Sequence, residues 1–178
     1  MKKILTFGAS SSINSINKQL ASYAASLVQN GEVHLIDMND YEMPIYSIDR
    51  EQEGIPEPAI RFKKQVKEAD AIIISFAEHN GTYTAAYKNV LDWATRVEKD
   101  MWMGKPMLLL STSPGGRGGL NILTIATTSY AYLNGRVIGS MAVPSFGDNF
   151  TESGLKDEEL QRQLEEHIAT LEQELKSV

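Results

Sequence analysis

Ala71-Ile72-Ile73-Ile74-Ser75-Phe76-Ala77 runs directly into Glu78-His79-Asn80-Gly81-Thr82-Tyr83-Thr84. The first stretch is apolar on both of its alternating faces, the pattern of a central strand covered by helices on two sides. The second is polar and carries Asn80-Gly81, a pair suited to a turn. Around this unit the apolar periodicity switches repeatedly between strand and helix.

Upstream, Ile4-Leu5-Thr6-Phe7 reads as a short buried strand. Ser15 to Gln29 is a helix, with Leu20, Tyr23, Ala24 and Leu27 at helical spacing and Gly31 as its C-terminal cap. Glu32 to Asp37 is a second strand, and Met38 to Gly54 a long polar connection. Pro56 or Pro58 opens the next helix, through Phe62, Val66 and Ala69. Downstream, Thr84 to Glu98 is a helix and Lys105 to Ser111 a strand. Leu120 to Leu133 is a helix ended by Asn134-Gly135, and Arg136 to Val143 is the fifth strand. Leu155, Leu160, Leu164, Ile168, Leu171 and Leu175 form one stripe of a C-terminal amphipathic helix, which covers the sheet or contributes to an oligomer contact.

Five strands alternating with helices predict one α/β domain over residues 1–178: three layers, with a five-stranded parallel sheet of order 2-1-3-4-5 and helices on both faces. Ligands of such sheets bind beyond the C-terminal strand ends, at the switch point between strands 1 and 3.

Composition narrows the function. The 178 residues are 42% hydrophobic and 22% charged, an ordinary soluble balance. A net charge of −6 argues against nucleic acid as a main partner. No apolar run approaches the roughly 20 residues that span a bilayer, so no membrane partner is expected. Met1-Lys2-Lys3-Ile4-Leu5 starts like a signal peptide, but its apolar stretch stops at Gly8-Ala9-Ser10, so the expected location is the cytoplasm. The absence of cysteine removes disulfides, thiolate catalysis and cysteine-held metals, and no metal site is expected.

Three loops at the predicted ligand end carry chemistry. Gly8-Ala9-Ser10-Ser11-Ser12-Ile13-Asn14-Ser15-Ile16-Asn17 sets hydroxyls and amides before a helix N-terminus, a donor set for a phosphate monoester, although a single cap needs only one of them. In Glu78-His79-Asn80-Gly81 the backbone offers N–H and C=O groups to the edge of a planar ring; the plain alternative is a turn, with His79 an ordinary loop histidine. Ser111-Thr112-Ser113-Pro114-Gly115-Gly116-Arg117-Gly118-Gly119 reads as a flexible loop able to lie over a ligand. Arg117 in it is either a cation for a nucleotide phosphate or a solvated loop residue.

Together these loops resemble the NADPH-dependent FMN reductase family, flavodoxin-like enzymes that include chromate, quinone and azo-dye reductases. Ala9-Ser10-Ser11-Ser12-Ile13-Asn14-Ser15-Ile16-Asn17-Lys18-Gln19-Leu20 is similar to the family's G-S-x-R-x-x-S-x-N-x-x-L. Ala77-Glu78-His79-Asn80-Gly81-Thr82 and Tyr87-Lys88-Asn89-Val90-Leu91-Asp92-Trp93 are similar to its P-E-Y-N-x-S and L-K-N-x-x-D-W. The likeness runs from about Lys3 to Phe146.

The resemblance implies that Ser10, Ser15, Ile16 and Asn17 hold the phosphate of FMN, with Ser12 standing in that loop where the family usually has Arg. It implies that Glu78, His79, Asn80 and Gly81 hold the isoalloxazine, mainly through the backbone, and that Ser113 and Gly115 border the ring opposite. Ala77 replaces Pro, and His79 replaces Tyr. Lys88, Asn89, Asp92 and Trp93 are expected to fix the helix beneath the loop and to contribute to a dimer contact.

The implied reaction is ping-pong. NADPH or NADH and then a small electron acceptor (quinone, free flavin, azo compound or metal oxyanion) use one face of the ring in turn, with no protein acid or base assigned. The implied assembly is a homodimer or homotetramer, with Met101-Trp102-Met103 either at that contact or in the chain's own core. The alternative is a non-enzymatic flavodoxin-like electron carrier. Such carriers usually hold the ring between aromatic side chains, and the loop Ser111–Gly119 has none.

Overall fold

The computed structural model describes residues 1–151 and 153–177. In chain order the elements are β1 Lys2–Ala9, α1 Ile16–Ser26, β2 Gly31–Leu35, a 3-10 turn Met38–Tyr41, α2 Ile48–Gln52, α3 Glu57–Glu68, β3 Ala71–Phe76, α4 Ala85–Val97, β4 Pro106–Thr112, α5 Leu120–Ser129, a 3-10 turn Tyr130–Leu133, β5 Arg136–Val143, α6 Phe146–Asn149, β6 Phe150–Thr151, β7 Gly154–Leu155 and α7 Glu158–Ser177. The five long strands form one parallel sheet of order β2-β1-β3-β4-β5.

Strand alternation builds two cores. Leu5, Phe7, Ile72, Ile74, Phe76, Met107 and Leu109 point to the face packed by α3, α4 and α5. Ile4, Ala71, Ile73, Leu108 and Leu110 point to the face packed by α1 and α7. β3 is buried along its whole length, as its apolar run requires. Removing each large side chain of this kind from water contributes about 1.5–3 kcal/mol before entropy is counted. The flavodoxin-like architecture expected from the sequence is therefore present.

Three local readings change, and one open alternative is decided. Gly31 does not cap α1; Leu27 does, and Gly31 opens β2. A Cβ on Gly31 would lie 2.4 Å from Ile4 Cδ1, so its missing side chain serves strand packing. Leu155 lies in β7, outside the C-terminal helix, although its side chain joins the same core. Met101 and Trp102 are fully buried within this chain, so they form core and offer no subunit surface. Finally, the polar connection after β2 contains the turn Met38–Tyr41 and the short α2.

The α4 side chains grip that connection. Asn89 accepts from Tyr46 N at 2.8 Å and donates to Met43 O at 3.1 Å, and Trp93 Nε1 donates to Pro44 O at 2.7 Å. Lys88 and Asp92 pair on the exposed face. Below the loop after β3, Tyr87 and Tyr130 share a buried hydroxyl–hydroxyl contact, and burial pushes both phenols well above their ordinary pKa.

Candidate functional site

The loops after β1, β3 and β4 converge on a cleft of about 280 Å³ at the sheet's switch point. Ser10, Ser12, Ser15, Ile16 and Asn17 line it from the first loop, Glu78 and His79 from the second, and Ser113 from the third. Of the residues singled out in the sequence, Asn80, Gly81, Gly115 and Arg117 lie outside that lining. Asn14, Ala77, Thr112 and Pro114, not singled out, complete it. Each of these is a chain neighbour of a residue that was.

The end of the cleft beside the α1 N-terminus is built by close approach. A Cβ on Gly8 would sit 2.3 Å from Lys18 N, so only glycine lets β1 meet the first turn of α1. Ser15 caps that helix by accepting from Lys18 N at 3.1 Å. The capping leaves the N–H groups of Ile16 and Asn17 free of intrahelical partners, with the positive end of the helix dipole behind them. Ser10 Oγ accepts from Ser12 N at 3.2 Å, which leaves its own O–H free to donate.

Asn17 carries an unforeseen second role. Its side chain turns away from the cleft and is 2% exposed. Oδ1 accepts from Ser75 Oγ at 2.7 Å and from Thr112 N at 3.0 Å, while Nδ2 donates to Thr112 O at 3.1 Å. Asn17 thereby ties α1 to β3 and β4, and its contribution to an anion in the cleft is its backbone N–H.

The second loop is a tight turn. His79 N donates to Thr82 O at 3.0 Å and Thr82 N to His79 O at 3.1 Å, with positive φ at both Asn80 (51°) and Gly81 (79°), the signature of a type I′ turn. The turn consumes the backbone groups of His79 and leaves those of Asn80 and Gly81 to face outward. Thr84, buried, caps α4 and donates to Ala9 O at 3.0 Å, pinning the turn to β1.

The third loop is anchored rather than loose. Ser145 N donates to Gly115 O at 3.0 Å and Phe146 N to Ser113 O at 3.1 Å. Gly118 and Gly119 both have positive φ, and a Cβ on Gly118 would meet Val143 O at 2.7 Å; these glycines permit backbone packing. Exposed Arg117 donates to Asn121 Oδ1 at 2.9 Å. Asn121 Nδ2 in turn donates to Glu78 at 3.2 Å, and Ile122 N donates to the same carboxylate at 3.1 Å. Since the α5 N-cap, Gly119, has no side chain, Glu78 caps α5 from the neighbouring loop, where a carboxylate is favoured.

The cleft lining contains no lysine or arginine, and its one carboxylate is held against α5. Besides His79, what remains is a set of uncharged donors converging at a helix N-terminus, with peptide edges and Thr112, Ser113 and Pro114 extending away from it. This donor set fits a phosphate joined to a flat polar ring system, as in FMN. Among the described residues no group of three or more His, Cys, Asp or Glu is arranged to hold a metal, and no helix is long and apolar enough to cross a membrane.

The family model for NADPH-dependent FMN reductase matches residues 2–148. The chain belongs to that family. FMN is the family's cofactor and a reduced nicotinamide nucleotide its co-substrate. The family match spans all three loops of the cleft. A 2-hydroxy-1,4-benzoquinone reductase of a Burkholderia species is 37% identical over 107 residues, covering 59% of this chain and 57% of that protein. An NAD(P)H-dependent FMN reductase of Pseudomonas aeruginosa is 32% identical over 117 residues, covering 65% of this chain and 62% of that protein. In both cases the aligned part is less than two thirds of the relative's own length. The flavoenzyme NAD(P)H:(acceptor) oxidoreductase FerB of Paracoccus denitrificans superposes with a TM-score of 0.77 at 22% identity, covering 99% of this chain and 98% of that one. At that identity the likeness is one of fold.

Proposed function

We propose that this FMN reductase family member binds FMN in the switch-point cleft and moves reducing equivalents from NADPH or NADH to a small electron acceptor. The observation that carries the reading is the convergence of the free Ile16 and Asn17 N–H groups with the Ser10, Ser12 and Ser15 hydroxyls on one cleft. Glu78 and His79 bring the start of the turn after β3 to the same cleft, and a planar ring would extend toward that turn. Quinones lead the acceptor class, with free flavins, azo compounds and metal oxyanions as the other candidates.

When bound, FMN supplies the redox chemistry and the protein supplies placement and polar contacts. The α1 N-terminus and the serine hydroxyls would hold its phosphate. The N–H groups of Asn80 and Gly81, just outside the cleft lining, would stabilise negative charge on a bound ring. Glu78 and Thr84 keep that turn in place through α5 and β1. Ser111–Gly119 has no aromatic side chain to cover a bound ring, so that loop would leave room for reductant and acceptor to use one site in turn, which is the basis for a ping-pong scheme. Exposed Arg117, which donates to Asn121, would meet the extra phosphate of NADPH. Homodimeric or homotetrameric assembly belongs to the same proposal, and buried Met101 and Trp102 do not provide its contact.

The test is an FMN titration of the purified protein, followed by NADPH oxidation with a benzoquinone acceptor. Micromolar FMN binding and turnover above that of free FMN support the reading. Binding without turnover leaves a carrier of flavodoxin type, and no binding removes the flavin assignment.

A further inference from the structure

Of the residues lining the switch-point cleft, Glu78 and His79 are the ionisable ones. Glu78 is committed: one carboxylate oxygen accepts from Asn121 Nδ2 and the other from Ile122 N, both on α5. His79 is fixed at its backbone and free at its ring. Its N–H and C=O are both spent on Thr82, and Thr84 ties the same turn to β1 through Ala9 O. Among the described residues no hydrogen bond or ion pair holds its imidazole, and the residue is exposed. Resting on the reading of this cleft as a flavin site that reduces quinones, we propose that His79 is a catalytic residue, carrying the second proton of quinone reduction from solvent to the acceptor.

The balance of the reaction creates the need. Turning a quinone into a hydroquinone adds two electrons and two protons. A hydride delivered from the reduced cofactor brings both electrons and one proton, and forms the first O–H bond at one carbonyl oxygen. The quinone ring becomes aromatic, and the other oxygen is left as a phenolate. An N–H bond of the His79 imidazolium then breaks, its proton forms the second O–H bond, and the neutral imidazole regains a proton from water. No lysine or arginine lines the cleft, so no fixed cation neutralises that phenolate; a delivered proton does.

The residue type suits the step. From an imidazolium to a phenolate the proton moves downhill, and imidazole is the side chain that both gives and takes a proton near neutral pH. Apart from Glu78, the other lining side chains are hydroxyls, amides and apolar groups, none of which titrates in that range. His79 stands where the family usually has Tyr, whose phenol keeps its proton to about pH 10. Exposure completes the cycle: the same imidazole that lines the cleft meets the water that recharges it.

The experiment compares benzoquinone with ferricyanide, an acceptor that takes electrons and no proton. FMN-loaded wild type, His79→Phe and His79→Gln are reduced, and their reoxidation by each acceptor is followed by stopped flow. Phe keeps an aromatic ring, as the family's Tyr does, and Gln keeps a hydrogen-bond donor without a transferable proton. The expected result is a fall of about tenfold to a hundredfold in the benzoquinone-to-ferricyanide rate ratio in both variants, at the lower end of what a positioned acid contributes. A second readout needs no turnover. Proton NMR of the oxidised, FMN-loaded protein resolves the Cε1–H signals of its three histidines, with His79 identified by its loss in His79→Gln. Added hydroquinone is expected to shift the His79 signal. A rate ratio unchanged in either variant, or a His79 signal that hydroquinone leaves in place, would overturn the proton-carrying role while the flavin reading stands. Failure of FMN to bind the wild-type protein would remove both.

Discussion

Asn17 and Ser75 share a 2.7 Å hydrogen bond inside the sheet, fifty-eight residues apart in sequence. The pair joins the first turn of α1 to the middle strand, so the α1 end of the cleft is positioned from within the core. Thr112 completes the junction through its backbone.

Asn17→Asp replaces the Nδ2 donor with a second oxygen facing Thr112 O. The expected loss is about 1–3 kcal/mol of stability, the cost of a buried acceptor left without its donor. Urea unfolding followed at neutral pH measures it, and an unchanged midpoint would show that the junction tolerates the exchange.

Glu78→Ala removes the borrowed cap of α5. Loss of a helix cap costs about 0.5–2 kcal/mol, and Glu78→Gln should recover part of it by still accepting from Ile122 N. Thermal denaturation of the two variants side by side gives the comparison; equal melting temperatures would mean that the carboxylate caps nothing.

Gly8→Ala forces β1 and α1 apart, because the new methyl would stand 2.3 Å from Lys18 N. Overpacking of this kind costs about 1–3 kcal/mol. FMN affinity should fall by about tenfold or more as the helix end withdraws. Wild-type affinity in a folded variant would place the phosphate elsewhere.

Arg117→Ala should raise the KM for NADPH by several fold and leave that for NADH nearly unchanged, since only NADPH carries the extra phosphate. Steady-state kinetics with both reductants decide this, and equal changes would separate Arg117 from that group.

His167 lies against β5, where a Cβ on Gly139 would meet its ring at 2.5 Å. Burial lowers its pKa from the ordinary 6.5, opposed by Glu166 and by a backbone bond at Ser140. The folded state therefore binds this proton less readily than the unfolded chain. The associated stability is complete above about pH 6.5 and is lost as the pH falls toward the folded pKa. His167→Gln should flatten the wild-type stability slope between about pH 7 and 5.5 in denaturant titrations. Parallel slopes for the two proteins would assign the pH dependence to other groups.

The sheet order was legible because β3 is apolar on both faces and the strands and helices alternate cleanly around it. The cleft was legible because hydroxyls and glycines cluster after the strand ends. Other features depend on distance in space. Gly31 stands between a helix and a strand, and only its contact with Ile4 assigns it to the strand. Leu155 falls on the helical stripe by spacing alone, yet belongs to the short hairpin before it. The inward turn of Asn17 and the reach of Glu78 to α5 each need a partner more than forty residues away, which no local pattern reveals. Gly118 and Gly119 looked like flexibility because sequence shows a missing side chain without showing what occupies the space.

Trp93 and Trp102 are the chain's only two tryptophans, and both are shut away from water. One indole bonds to Pro44, while the other stacks on Tyr130 at 5.0 Å. Their emission should be blue-shifted in the native protein and move to longer wavelength on denaturation, giving every variant above a label-free optical readout built into the fold.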